Sequence, residues 1–173
     1  MREKIIKIPA NPDEINLYCY LGEALCKIQI VEQALSHSIT LKMYPSETKE
    51  RADEFLKQHQ QYTLGRAIKI SAQEKLYDLS LQDTLNAFLK ERNWLVHKVI
   101  RENQNDLPAA SKKEELFHKI KSISDQAENL QREIEYDMIA FCSSKGKDMS
   151  KILKALKLQE RGIRVQKVET KTR

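Results

Sequence analysis

The sequence predicts an all-α protein, an up-and-down bundle of four to five helices, and three observations predict it. Glycine and proline are scarce, four of each in 173 residues, and every proline lies at or before Pro108. Apolar residues recur at alternating spacings of three and four along two long stretches. Helix-capping signals precede both. The length fits one domain with an appendage and needs no disulfide staples.

Residues 1–10 read as an N-terminal arm, with Ile6 and Ile8 alternating with charged residues. Asn11-Pro12-Asp13-Glu14 then supplies a cap, a proline in the first turn and two acids. Leu17, Leu21, Ala24, Ile28, Val31, Leu35 and Ile39 continue as one stripe, so a helix is expected to about Met43. Tyr44-Pro45-Ser46 ends it. A charged, peripheral helix follows over 47–60, its apolar content chiefly Ala52, Phe55 and Leu56. Tyr62-Thr63-Leu64-Gly65 resets the chain into a short apolar segment, Leu64 to Ile70, and Ser71 with Glu74 has the spacing of a capping box for a turn or two carrying Leu76 and Leu79.

Ser80 and Asp83 look like the cap of a helix over 81–102, whose stripe is Leu81, Leu85, Phe88, Arg92, Leu95 and Val99. Arg92 therefore falls on an apolar face. There it is either paired with an acid against a neighbouring helix or directed into a polar cleft at a subunit boundary. Asn103 to Pro108 is a turn, and Ser111 with Glu114 caps the most regular helix, striped by Leu116, Ile120, Ile123, Ala127, Leu130, Ile134 and Met138. It runs to about Ser143, roughly 48 Å. This helix and the first are expected to lie antiparallel, with the shorter ones between them. Residues 1–144 thus form one bundle.

Residues 145–173 are a basic C-terminal helix and polar tail. Asp148 caps the helix and Gly162 stops it. The segment holds ten Lys and Arg against three Asp and Glu, so the chain's formal charge of +5 belongs to it. Such a tail can attract nucleic acid or simply present a solvated face.

Composition and motif content exclude much else. No apolar run has the length of a signal peptide's core or a membrane span, which points to a cytoplasmic protein without a membrane partner. Cys19, Cys26 and Cys142 are an odd number without metal-ligand spacing. The first two are about 10 Å apart along one helix, and all three are expected as reduced thiols. Gly-rich phosphate loops, HExxH and nucleophile elbows are missing. Glu133 and Glu135, two apart on a helix, do not share a face as a glycosidase pair would need. His37, His59 and His118 sit on polar faces and read as surface residues.

Glu91-Arg92-Asn93-Trp94-Leu95-Val96-His97-Lys98 is the stretch that carries chemistry. Asn93 and His97, four apart, share a helix face, so the carboxamide can fix the imidazole's tautomer. Arg92 and His97 stand on neighbouring sides of the helix. Histidine suits proton transfer near neutral pH, and arginine offers phosphate a bidentate fork. Two copies of this helix about a two-fold axis would make a cleft with both sets facing inward. Lys90, Trp94, Lys98 and Arg101 lie on a second side, a basic strip with an aromatic that suits single-stranded nucleic acid. The plainer reading is an Arg–acid pair, a satisfied histidine and a tryptophan packed between helices.

Arg92-Asn93-x-x-x-His97 resembles the R-(polar)-x(3–5)-H motif of the HEPN superfamily. The resemblance covers about residues 12–144, and its specific part is six residues. It implies an all-α homodimer joined through the 81–102 helix that binds RNA, often a metal-independent endoribonuclease of the toxin or phage-defence kind. Arg92 would anchor phosphate, Asn93 would orient and His97 would act as base or acid, with no cofactor or metal. The alternative is a non-catalytic module that binds RNA or a protein partner. An antitoxin or defence-system partner is implied too, with one departure: some members paired with a nucleotidyltransferase antitoxin carry a modifiable tyrosine two residues after the histidine, where this chain has Val99.

Overall fold

A computed structural model describes residues 11–103 and 110–163. Those residues form seven helices and no strand: α1 (Pro12–Met43), α2 (Lys49–His59), α3 (Leu64–Gln73), α4 (Leu79–His97), α5 (Val99–Asn103), α6 (Ala110–Ser144) and α7 (Ser150–Glu160). None is long and apolar enough to cross a membrane. The arm 1–10, the turn after Asn103, the Ser111 side chain and residues 164–173 lie outside the described residues.

α1 starts as its sequence dictates. The Asn11 side chain accepts from the Asp13 N–H at 3.0 Å, and the Glu14 carboxylate accepts from the Asn11 N–H at 3.1 Å. The expected stripe is the buried one, from Leu17 at 4 % exposure to Ile39 at 0 %. It packs on α6, whose Ile120, Ile123, Ala127, Leu130 and Ile134 are equally buried. Leu64, Ala67 and Ile68 of α3 and Leu85, Phe88 and Leu95 of α4 complete the core.

The long helices do not run antiparallel. Asp13 bonds Lys113 at 3.0 Å, Lys27 bonds Glu128 at 3.2 Å and Lys42 bonds Asp137 at 2.5 Å, so both chain directions advance together. The reason is a parity. α2 turns back along α1, with Tyr44 stacked on Phe55 and Thr40 bonded to His59. α3 and α4 are antiparallel as well, through Ser71–Gln82 at one end and Gly65–Leu89 at the other. Four reversals, at the links α1–α2, α2–α3, α3–α4 and between α4 and α6, bring α6 back parallel to α1, in an alternating up-and-down order.

The start of α4 also departs from expectation. Ser71 does not cap; it lies inside α3, fully buried, donating to the Ile68 carbonyl at 2.8 Å and the Gln82 amide oxygen at 3.0 Å. α3 is capped by Thr63, and α4 by Asp78, which accepts from the Leu81 N–H at 2.8 Å. α3 ends in a Schellman motif: the Leu76 N–H reaches the Ser71 carbonyl at 2.9 Å, with Lys75 left-handed at φ 51°. α6 ends the same way with glycine, Gly146, in the left-handed position and the Lys147 N–H on the Cys142 carbonyl. A Cβ in that conformation costs about 1–2 kcal/mol, offset in part by glycine's greater unfolded entropy. Lys75→Gly should therefore stabilise the protein by about 0.5–1 kcal/mol in urea unfolding. A loss of stability would show that the Lys75 side chain contributes more than its backbone strain costs.

His59 is not a surface residue. It is 4 % exposed, its Nδ1 lies 2.7 Å from Thr40 Oγ1, and its ring packs between Tyr44 and Tyr62. Ser36 and Thr40 continue α1's buried face as polar residues, and that is what receives it. Burial holds its pKa below the ordinary 6.5. The unfolded chain then binds the proton first as pH falls. The contribution is fully present above about 6.5 and is lost as pH drops toward the lowered folded value. His59→Gln should narrow the gap in Tm between about pH 7.5 and about pH 5.5. An unchanged gap would assign the acid sensitivity to other groups.

α7 turns back beside the end of α6. Tyr136 donates to Glu160 at 2.8 Å, and Leu156 is buried. The N-cap of α7 is Met149, with no side-chain cap bond, rather than the expected Asp148, which one residue earlier accepts from the Ser150 N–H at 3.0 Å.

Candidate functional site

The motif sits where α4 crosses α1 in the antiparallel sense. Leu85, Phe88 and Leu95 commit one face of α4 to the core, which leaves Arg92 at the margin of that face, against α1. Its Nη2 donates to Glu32 Oε1 at 3.3 Å, with the two side chains 22 % and 29 % exposed. Nη1 donates to the Asn93 amide oxygen at 3.4 Å, and the buried Nε has no hydrogen-bond partner among the described residues. These contacts are long for an arginine–carboxylate bond, which is about 2.7–2.9 Å when strong. The guanidinium is positioned but not saturated.

His97 is the last residue of α4. The Lys98 backbone leaves the helical region at φ −125°, and α5 begins at Val99. The helix expected over 81–102 is thus two helices, with the break bridged by Trp94 Nε1 donating to Glu102 Oε2 at 2.8 Å. His97 is exposed, and among the described residues no group hydrogen-bonds it. The Asn93–His97 bond that the spacing allows is not formed, and the Asn93 oxygen accepts from Arg92.

Across the break, His97 and Arg101 keep the four-residue spacing that places side chains together. His97 and Arg101 line one groove of about 480 Å³ with Leu21 and Leu25 of α1 and with Val96 and Ile100. An imidazole and a guanidinium therefore share one apolar-walled opening. A proton-transfer group and an anion-binding group in a single groove can act on a phosphodiester.

The basic strip is divided. Lys90, Lys98 and Arg101 are exposed, but Trp94 is half-buried, with Lys119 of α6 3.7 Å from its ring centroid. One face of the indole is occupied by that cation. Lys119 extends the positive surface onto α6, a member that linear spacing on α4 had no means of naming. Glu32 was missed for the same reason. Its signal is a half-buried carboxylate at the edge of α1's stripe, as Arg92 is a cation on α4's.

No three His, Cys, Asp or Glu side chains among the described residues are grouped to hold a metal ion. Cys19, Cys26 and Cys142 are free thiols. No family model, curated protein or solved structure matches the chain.

Proposed function

We propose that this protein is a metal-independent endoribonuclease of the HEPN type, acting on cellular RNA as a homodimer in the cytoplasm. The observation that carries the reading is the groove at His97: an imidazole without a hydrogen-bond partner among the described residues, beside Arg101 and rimmed by Leu25, Val96 and Ile100 at 39 %, 40 % and 47 % exposure. Large apolar residues exposed around a polar pair suit coverage by a second copy, which would bring its own Arg92 and His97 to the same opening.

In the reaction, one His97 takes the 2′-hydroxyl proton while that oxygen attacks the adjacent phosphorus. The bond to the 5′-oxygen breaks, and an imidazolium returns a proton to it, leaving a 2′,3′-cyclic phosphate. Arg92 neutralises the non-bridging oxygens. Its 3.3 Å contact to Glu32 is weak enough to exchange for phosphate. Lys90, Lys98, Arg101 and Lys119 would track the backbone. A toxin or phage-defence role, with a neutralising or activating partner protein, follows from the same reading.

A second reading has its own support. The Arg92–Glu32 pair is complete within one chain, as in an ordinary inter-helix contact, and fits a non-catalytic module that binds RNA or a protein partner. Incubation of purified protein with mixed RNA in EDTA, wild type beside Arg92→Ala and His97→Ala, separates the two. Cleavage lost in both variants supports the enzyme, and no cleavage by wild type leaves the module.

A further inference from the structure

Above the Arg92–Glu32 pair, on the same face of α1, lies a second opening of about 310 Å³ with a different chemistry. Its walls are Gln29, Glu32, Gln33 and Ser36 of α1 together with Gln60 and Tyr62 of the link between α2 and α3. The floor is fixed. The Ser36 hydroxyl donates to the Glu32 carbonyl at 2.8 Å and to the His59 carbonyl at 3.3 Å, so its hydrogen is spent inside the fold. Tyr62 is held between the His59 ring, 5.3 Å away, and the Arg66 guanidinium, 4.1 Å from its centroid. By contrast, among the described residues the carboxamides of Gln29, Gln33 and Gln60 make no intramolecular hydrogen bond.

Three free carboxamides and a carboxylate on a rigid aromatic-sided floor form a donor-and-acceptor set rather than a charged one. Such a set reads the edge of a planar polar ring. Glutamine pairs with the amino group and ring nitrogen of adenine bidentately, and a carboxylate accepts from an exocyclic amine. A volume near the lower end of ordinary ligand sites, roughly 300–1,000 Å³, fits a single base. Glu32 is shared: Oε1 holds Arg92, and the same side chain lines the cleft. A strand whose phosphate rests on Arg92 would therefore have a neighbouring base beside the cleft.

We propose that the cleft of Gln29, Glu32, Gln33, Gln60 and Tyr62 is a base-recognition subsite that takes adenine from single-stranded RNA. This rests on the RNA-directed reading of Arg92 but not on cleavage. It gives the protein a sequence preference for adenosine next to the phosphate that Arg92 holds.

The test is fluorescence anisotropy in EDTA with a labelled hexauridylate and the same strand carrying one central adenosine, on the full chain. Wild type should bind the adenosine strand about tenfold more tightly, within the range for one bidentate base contact. Gln33→Ala/Gln60→Ala, both exposed positions, should reduce that ratio to about twofold or less while leaving hexauridylate binding unchanged. Arg92→Ala should weaken both strands alike. Equal affinity of wild type for the two strands, or a preference that survives the double variant, overturns the subsite. Adenosine preference without any cleavage in the EDTA assay would keep the subsite and remove the ribonuclease, whereas cleavage with equal affinities would do the reverse.

Discussion

His97→Ala should lower RNA cleavage in EDTA by roughly 10²–10⁴-fold, the usual contribution of a general acid or base. Arg92→Ala should cost roughly 10²–10³-fold, the scale for a donor aimed at developing charge. His97 is exposed without a partner among the described residues, so its removal should leave the fold intact, and removing Arg92 leaves a Glu32 that is 29 % exposed and able to hydrate, so the ion pair itself contributes about 0–1 kcal/mol. Matching circular dichroism melts would show this directly. Glu32→Gln provides the internal control on a uridine-only strand, because it frees the guanidinium and should leave cleavage of that strand intact or raise it. Parallel loss in Glu32→Gln and Arg92→Ala would instead make the pair a structural contact and sink the catalytic assignment. Sedimentation velocity on wild type belongs to the same experiment, since a strictly monomeric protein that cleaves RNA would remove the composite site while keeping the chemistry.

Lys42→Met should lower stability by about 2–3 kcal/mol, and Tm by about 4–12 °C for a chain of this size. Lys42 is 7 % exposed, and its ammonium lies 2.5 Å from Asp137, 2.7 Å from the Leu76 carbonyl and 4.4 Å from the Tyr77 ring centroid. One side chain thus ties the end of α1 to α6 and to the link between α3 and α4. Burial also pushes the Tyr77 phenol above its usual range, so the ring stays neutral there. Methionine replaces the packing of the lysine stem but leaves the Asp137 carboxylate without a cation and the Leu76 carbonyl without its donor. The estimate sits at or below the roughly 3–5 kcal/mol of a fully buried pair because Asp137 keeps 30 % exposure. Lys42→Met/Asp137→Leu should recover at least half of the loss, as replacing both members of a buried pair usually does. An unchanged Tm in the single variant would mean that solvent already carries both charges.

Periodicity and caps alone determined the helices. The Asn11 cap, α1's stripe from Leu17 to Ile39 and α6's stripe from Leu116 to Ile134 were legible because each is a local pattern repeated over many turns, and burial of one face is the only way to satisfy it. The ends were less legible. Lys75 closes α3 in a left-handed turn without the glycine that marks the same motif at Gly146, and Asp78 rather than Ser80 caps α4. Only tertiary packing decided the rest. The parallel course of α1 and α6 depends on how many reversals lie between them, and His59 is buried because Ser36 and Thr40, about twenty residues earlier, meet it. Arg92 could be placed on a contact face from its spacing, but its partner Glu32 lies sixty residues away. The break at Lys98, beside the groove of His97 and Arg101, follows no proline or glycine. A chain pattern specifies which face is buried; which residues of other elements meet at that face is settled only when the helices pack.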